Sequence, residues 1–273
     1  MKLPKLIALD MDGTMLNEKS ELSPRTIKAL REAQKAGIRV AAATGRMYPS
    51  AMLHIKAIGI QSASIFYNGA LIRDPLTGET IYERRLGREL TAAVMDYFHR
   101  GGHYVQGYCD DRLVVETRDD ERCRYYEKIC GIDAVALGES FWSSGLDSSK
   151  LLGISFDKED FARIYEDIDR LFSDRIYQAS SWGAFVEIVH RTVNKADALS
   201  RVAAHYGINR SEVMAFGDGA NDREMLEWAG LGVAMGNAKE NVKQSADLIA
   251  PSHSEDGAAV VIEKLLGIKY TGE

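Results

Sequence analysis

Three short apolar segments limit the folds open to this chain more than any other feature. The segments "LIAL" (residues 6–9), "VAAA" (residues 40–43) and "VMAFG" (residues 213–217) consist of small and apolar residues with no polar residue at alternate positions. A strand of this composition is buried on both faces, which is typical of a parallel sheet covered by helices. The sequence therefore predicts an α/β fold with a central parallel sheet.

Helical segments separate these strands. The segment "SPRTIKALREAQKAG" predicts a helix, because Ser23 is a candidate N-cap, Pro24 occupies the first helical position and Gly37 follows the end. A weaker helix is predicted at residues 48–58, and a strand at 62–70, "SASIFYNGA". Strand and helix signals alternate again after Lys195. This alternation predicts a Rossmann-like parallel-sheet core.

The middle of the chain follows a different pattern. The segments "HYVQGYCDDRLVVE" and "IYQASSWGAFVEIVH" predict two β-hairpins, which turn at Asp110–Asp111 and near residues 181–183. Hairpins mixed with helices indicate an α+β unit with an antiparallel sheet. We therefore expect a core formed by residues 1–84 and 191–273, with a cap domain inserted at residues 85–190.

Composition and charge exclude several classes of function. The net charge is −6, which disfavours nucleic acid as a partner. No apolar run approaches the roughly 18–20 residues that span a bilayer, so we expect a cytoplasmic protein without a membrane partner. The three cysteines are odd in number and form no CxxC pair, which favours free thiols over disulfides or a zinc site.

Polar residues stand at the carboxyl end of each predicted core strand, where ligands bind in open parallel sheets. These residues are Asp10, Asp12, Thr44, Asp218, Asn221 and Asp222. Each aspartate also suits a turn, so a single motif of this kind is ambiguous. If the strands are neighbours, however, four carboxylates meet in one cleft and repel one another. Oxygen ligands without His or Cys favour Mg²⁺ as the cation that offsets this charge.

Four segments resemble the motifs of a known enzyme group. The segments "DMDGTML", "ATGR", "NKADAL" and "GDGAND" are similar, in this order, to the four motifs of the haloacid dehalogenase (HAD) superfamily. The insertion between the second and third motifs resembles the Cof-type, type IIB branch, whose cap domain is α/β. The resemblance implies a hydrolase that acts on phosphate monoesters.

The resemblance assigns catalytic roles to four residues. Asp10 is expected to attack phosphorus and form an aspartyl-phosphate, and Asp12 to protonate the leaving oxygen and then activate water. Thr44 is expected to hold phosphate oxygens, while Lys195 neutralises the phosphate and orients Asp10. The second aspartate favours phosphoryl transfer over dehalogenation, because an alkoxide leaving group benefits from a proton whereas a halide does not.

The resemblance also implies binding roles. The residues expected to bind substrate are Thr44, Gly45, Arg46, Lys195 and Asn221. Those expected to hold Mg²⁺ are Asp10, Asp12 (through its backbone carbonyl), Asp218 and Asp222, the last either directly or in the outer shell. Arg46 fits a surface salt bridge equally well.

Three functions remain open on the sequence alone. The first is a Mg²⁺-dependent phosphatase for a small phosphorylated metabolite, such as a sugar phosphate. The second is a sugar phosphomutase of the same superfamily, which would return the phosphoryl group to sugar. The third is a non-catalytic protein that binds phosphometabolites. The sequence allows a monomer or a homodimer.

Overall fold

The computed structural model describes residues 3–181 and 183–270. Its contacts divide the chain into two compact units. The first unit contains the residues up to Gly45, then Ala51–Tyr82, and the residues from Asn194 onward. The second unit contains Arg46–Ser50 and Glu83–Val193. Residues distant in sequence thus form each unit, and the second unit interrupts the first.

Fourteen strands occur within the described residues. They are β1 (Leu6–Leu9), β2 (Arg39–Ala42), β3 (Ser64–Phe66), β4 (Leu71–Arg73), β5 (Thr80–Glu83), β6 (Val105–Cys109), β7 (Arg112–Val115), β8 (Val135–Ala136), β9 (Lys150–Ile154), β10 (Ile176–Ser181), β11 (Phe185–His190), β12 (Val213–Gly217), β13 (Leu231–Ala234) and β14 (Leu248–Ile249).

Nine α-helices lie between them in the same described part of the chain. They are α1 (Pro24–Lys35), α2 (Tyr48–Ile58), α3 (Arg88–Gly101), α4 (Glu121–Cys130), α5 (Lys158–Phe172), α6 (Lys195–His205), α7 (Arg223–Trp228), α8 (Glu240–Lys243) and α9 (Gly257–Leu266). None of these helices is both long enough and apolar enough to cross a bilayer.

The first unit is built on a five-stranded sheet in the order β14-β13-β12-β1-β2. Every pairing in this sheet is parallel, and β1 lies between β12 and β2, with Leu6 opposite both Val213 and Arg39. Its apolar side chains pack against α6 and α7 in one buried cluster. The predicted α/β class with a Rossmann-like parallel core is confirmed, and the carboxyl ends of β1, β2 and β12 are neighbours.

Helix α1 begins and ends where its capping residues predict. The Ser23 side chain accepts a hydrogen bond from the Thr26 backbone N–H at 3.0 Å, and Pro24 is the first helical residue. Gly37 follows the helix with a φ of +84°, a conformation that costs glycine little. The predicted N-cap, start and end of this helix are confirmed.

The strand predicted at residues 62–70 is shorter than expected. Strand β3 ends at Phe66, and a 3₁₀ turn over Tyr67–Gly69 leads into β4, which runs antiparallel to β3. The Asn68 backbone N–H donates to the Thr44 carbonyl at 3.0 Å, and Asn68 has a φ of +59°. The turn therefore satisfies a backbone group at the end of β2 instead of extending the strand.

The second unit contains a six-stranded sheet in the order β10-β11-β9-β6-β7-β8. Both predicted hairpins are present, as antiparallel pairs β6–β7 and β10–β11. The first turns through Asp110 and Asp111, which have φ values of +50° and +59°. The predicted turn of the second includes Trp182, which lies outside the described residues. Helices α3 and α5 bury their apolar faces against the sheet, giving this unit its own core and its α+β character.

Candidate active site

Three carboxylates converge at the carboxyl ends of the neighbouring strands β1 and β12. Asp10 directly follows β1, and its backbone N–H donates to the Phe216 carbonyl of β12 at 3.0 Å. Asp218 directly follows β12, and Asp222 ends the short 3₁₀ turn Ala220–Asp222. Asp10, Asp218 and Asp222 each place one carboxylate oxygen within 4.8 Å of the others. We call these three residues the acidic cluster.

A buried lysine joins two members of the acidic cluster. The Lys195 Nζ donates to Asp10 Oδ1 at 2.7 Å and to Asp222 Oδ1 at 2.6 Å, and its side chain is 0% exposed. Lys195 is the first residue of α6, where the Asn194 side chain accepts from the Asp197 N–H at 2.7 Å. This N-cap fixes the helix start, so the capping bond helps to set the position of the lysine.

Burial and mutual repulsion raise the pKa of two members of the acidic cluster, Asp10 and Asp218. Burial raises the pKa of Asp10 well above its usual range; Lys195 opposes this shift, and the neighbouring carboxylates add to it. Burial also raises the pKa of Asp218 to about 7, with the charge of Asp222 as the next cause. Burial lowers the pKa of Lys195, but Asp10 and Asp222 outweigh it and leave that pKa raised. Lys195 is thus held as a cation, whereas burial disfavours the charged forms of Asp10 and Asp218 beside it.

Asp222 organises the groups around it. Its Oδ1 accepts from Lys195, while its Oδ2 accepts from the backbone N–H groups of Asp218 at 3.0 Å and Gly219 at 2.9 Å. Any Cβ at residue 217 would collide with the Asp222 side chain, so the approach requires Gly217. Both carboxylate oxygens of Asp222 are therefore engaged in positioning Lys195 and the loop that carries Asp218.

Two side chains from other loops hold Asp218. Thr14 Oγ1 donates to Asp218 Oδ1 at 2.9 Å, and Asn237 Nδ2 donates to Asp218 Oδ2 at 3.2 Å. Neither residue is predicted as a site residue from the sequence. Thr14 lies inside the first motif, and Asn237 follows β13, so a search for polar residues after each core strand would have found Asn237.

Residues around the end of β2 form a second connected group. Thr44 is fully buried and pairs through its backbone with Ile65 at 2.9 Å. Asn68, which is 1% exposed, accepts from the Asn221 side-chain amide at 3.0 Å. A Cβ at Gly69 would lie 2.5 Å from the Asn194 carbonyl oxygen, next to Lys195. The Tyr67–Gly69 turn therefore connects the second, third and fourth sequence motifs.

The remaining predicted residues are placed less directly. Asp12 lies in the turn after β1, half-buried, and its charge is among the causes that raise the pKa of Asp10 and Asp218. Gly45 ends the part of the first unit that follows β2, whereas Arg46 belongs to the second unit by its contacts. The substrate-binding roles expected of Gly45 and Arg46 remain predictions.

The donor set of the acidic cluster fits a hard divalent cation. All of its donors are carboxylate oxygens, the type that Mg²⁺ prefers. Burial and the neighbouring carboxylates raise the pKa of Asp10 and Asp218, and a cation bound among these groups would favour their charged forms. Within residues 3–181 and 183–270, no second group of three or more His, Cys, Asp or Glu side chains approaches this closely.

Comparison with protein families shows the family to which this chain belongs. Residues 7–262 match the model of the haloacid dehalogenase-like hydrolases. The chain belongs to this family. The match covers both units and includes all four motifs, so the resemblance seen in the sequence is confirmed.

Two relatives of this HAD hydrolase are named phosphatases. It is 30% identical to phosphatase YwpJ of Bacillus subtilis (strain 168), with 96% of this chain and 100% of the relative covered. It is also 30% identical to the 5-amino-6-(5-phospho-D-ribitylamino)uracil phosphatase YitU of the same organism, covering 97% of this chain and 98% of YitU.

Solved structures agree in fold and class. A haloacid dehalogenase-like hydrolase from Bacteroides thetaiotaomicron superposes with a TM-score of 0.87 at 31% identity, covering 96% of this chain and 99% of that one. The HAD subclass IIB sugar phosphatase BT4131 superposes with a TM-score of 0.81 at 26% identity, covering 97% and 100%. The protein is therefore a Cof-type HAD phosphatase, a phosphoric monoester hydrolase.

Proposed function

We propose that this HAD phosphatase hydrolyses the phosphate monoester of a small metabolite with Mg²⁺, through an aspartyl-phosphate on Asp10. The observation that carries the proposal is the buried Lys195, which contacts Asp10 and Asp222 at 2.7 and 2.6 Å. A phosphate dianion repels a carboxylate nucleophile, so the nucleophile must be surrounded by positive charge. Lys195 supplies one such charge, and the acidic cluster has the donors to bind a second.

The first chemical step transfers the phosphoryl group to the protein. An oxygen of the Asp10 carboxylate forms a bond to phosphorus while the bond from phosphorus to the substrate oxygen breaks. We assign Asp12 as the acid that gives its proton to the departing oxygen. Lys195 orients the Asp10 carboxylate through its hydrogen bond to Oδ1.

The second step returns the protein to its starting state. Asp12, now ionised, takes a proton from water, and the resulting hydroxyl oxygen attacks phosphorus as the bond to Asp10 breaks. The products are inorganic phosphate, free Asp10 and protonated Asp12. The buried Thr44 and the amide of Asn221 are proposed to hold phosphate oxygens in both steps.

Mg²⁺ would be held by Asp10, Asp218 and the backbone carbonyl of Asp12. When bound, it supplies positive charge that offsets the phosphate dianion. We propose that Asp222 acts from the outer shell, because both of its oxygens already accept hydrogen bonds from Lys195 and from backbone N–H groups.

The substrate class follows from chemistry that two relatives share. YitU is named for a phosphate ester on a ribityl chain, and BT4131 is titled a sugar phosphatase. Both names describe a phosphate on a polyhydroxylated carbon chain. We propose a substrate of this class for the present enzyme, selected by the second unit acting as a cap, in a cytoplasmic setting.

A phosphate-release screen tests the proposal. The panel contains p-nitrophenyl phosphate, several sugar phosphates including a hexose 1-phosphate, and the phosphorylated ribitylaminouracil, each with Mg²⁺ or EDTA. Sugar or ribityl phosphates should give the highest kcat/KM, with turnover lost in EDTA. Asp10→Asn should abolish phosphate release while the circular dichroism spectrum is retained. Near-normal activity of that variant would contradict the aspartyl-phosphate mechanism. Conversion of the hexose 1-phosphate to an isomer without phosphate release would contradict the proposed hydrolysis and favour a phosphomutase.

A further inference from the structure

We infer that Asn237 is a positioning residue of the metal site, because its amide holds the Asp218 carboxylate in the orientation needed to bind a divalent cation. The inference rests on the proposed function, since it acts through Asp218 as a metal ligand. Asn237 belongs to none of the four sequence motifs and lies in the loop after β13.

The Asn237 amide reaches two groups of the site. Its Nδ2 donates to Asp218 Oδ2 at 3.2 Å and to the Gly13 carbonyl at 2.9 Å. An amide NH₂ has two hydrogens, so the two acceptors use its full donor capacity. One side chain thereby connects the turn after β1 with the loop after β12.

A third hydrogen bond fixes which way the amide faces. The His253 backbone N–H donates to Asn237 Oδ1 at 3.0 Å. If the amide were reversed, its oxygen would face two acceptors and its NH₂ would face a donor. The backbone of the segment before α9 therefore forces the N–H groups of Asn237 toward Asp218 and Gly13.

Asp218 is held from both sides as a result. Thr14 donates to its Oδ1 at 2.9 Å, and Asn237 donates to its Oδ2. Each oxygen still has a lone pair that a cation can use. Outer-shell hydrogen bonds of this type orient metal-binding carboxylates, and losing one typically lowers metal affinity by about 10–100-fold. Without Asn237, only Thr14 among the side-chain contacts described above limits rotation of this carboxylate.

Calorimetric titration of Mg²⁺ into the metal-free chain of 273 residues tests the inference without an activity assay. Asn237→Ala should raise the Kd for Mg²⁺ by about tenfold relative to the wild type. Asn209→Ala is the matched control. Asn209 is also exposed and also organises a loop through Glu212, but it precedes β12 whereas Asp218 follows that strand. The Kd of Asn209→Ala for Mg²⁺ should equal that of the wild type.

The outcomes separate the inference from the proposed function. A Kd for Asn237→Ala within twofold of the wild type overturns the inference and leaves the proposed function standing. Failure of the wild type to bind Mg²⁺ overturns the proposed metal site, and the inference with it. At saturating Mg²⁺ the variant should regain most of its kcat, because Asn237 acts through Asp218 and not on the substrate.

A second variant distinguishes this role from simple tethering of a loop. Asn237→Asp has the same shape and keeps the acceptor for the His253 N–H, but it places a carboxylate oxygen beside Asp218 Oδ2. Like charges at this distance repel, so in EDTA at pH 8.5, above the pKa of about 7 of Asp218, the melting temperature should fall by at least about 2 °C. A wild-type melting temperature would mean that Asn237 only anchors the His253 segment, and it would overturn the inference.

Discussion

Replacing Lys195 by methionine should destabilise the metal-free protein by about 3–5 kcal/mol, the usual cost of removing one partner from a buried ion pair. The Lys195 side chain is 0% exposed, and its Nζ hydrogen-bonds to Asp10 and Asp222. Methionine is flexible and nearly fills the same space, so the loss reflects the missing charge more than a cavity. Since whole domains are stable by about 5–15 kcal/mol, the effect is large enough to measure easily.

Urea unfolding in EDTA and in saturating Mg²⁺ measures this effect. Lys150→Met is the matched control, because Lys150 is also buried, at 3% exposure, and pairs with Glu187 at 3.1 Å in the second unit. Both variants should be less stable than the wild type in EDTA. A ligand at 100 times its Kd stabilises a protein by about 2.7 kcal/mol. Lys195→Met leaves the acidic cluster more negative, so Mg²⁺ should bind this variant well and reduce its loss of unfolding free energy relative to the wild type. The loss in Lys150→Met should be the same with and without Mg²⁺.

A double-mutant cycle locates the effect on the acidic cluster. Asp222 Oδ2 accepts hydrogen bonds from two backbone N–H groups. In Asp222→Asn, the amide oxygen must accept these two bonds, and the amide NH₂ must therefore face the Lys195 ammonium. Lys195→Met removes this clash of donors. The double variant should therefore lose less unfolding free energy than the two single variants lose together, by at least about 1 kcal/mol. Additive losses, or wild-type stability of Lys195→Met in EDTA, would refute the reasoning.

Three further predictions test other contacts. Gly13→Ala should weaken Mg²⁺ binding in calorimetry by about tenfold, because the added Cβ would collide with Asp218. Gly37→Ala is the control, since Gly37 has a φ of +84° against +78° for Gly13 but no atom near an added Cβ, and this variant should retain wild-type binding. Arg25→Lys should lower the free energy of unfolding in urea by about 0.5–1 kcal/mol, because Arg25 binds both oxygens of Glu263, at 3.0 and 2.6 Å; equal stability would contradict this role. Burial and the charges of Arg84 and Arg191 lower the pKa of His190 from 6.5, and its Nε2 accepts from Arg84 at 2.8 Å. As the pH falls, His190 is therefore protonated at a higher pH in the unfolded chain than in the folded protein, which lowers stability. The melting temperature should drop between pH 7.5 and 5.5 more steeply for the wild type than for His190→Gln, and equal slopes would count against the assignment.

Residues at strand ends were the most predictable part of the site. Asp10, Thr44 and Asp218 each follow a strand whose apolar composition is visible in the sequence, and parallel pairing brings these ends together. Lys195 was found only through the resemblance to known motifs, because a lysine at a helix start carries no signal of its own. Its two short contacts became visible only in the structure.

Contacts between loops could not be predicted. The hydrogen bond from Asn237 to Asp218 depends on how the loop after β13 is held by His253, which no local pattern encodes. Likewise, the strand predicted through Asn68 and Gly69 breaks because Thr44 and Asn194 lie against it. In each case a tertiary contact overrides the local preference of the chain.

The long separations in sequence within the acidic site also govern when it can form. The hydrogen bond from Thr14 to Asp218 joins residues 204 positions apart, and that from Lys195 to Asp10 joins residues 185 positions apart. Contacts of such high sequence separation form slowly, and chains are synthesised from the N-terminus. Asp10 therefore leaves the ribosome long before its partners, and the whole second unit is made in between. The nascent chain must carry β1, an apolar strand without its neighbour β12, until synthesis has passed residue 217.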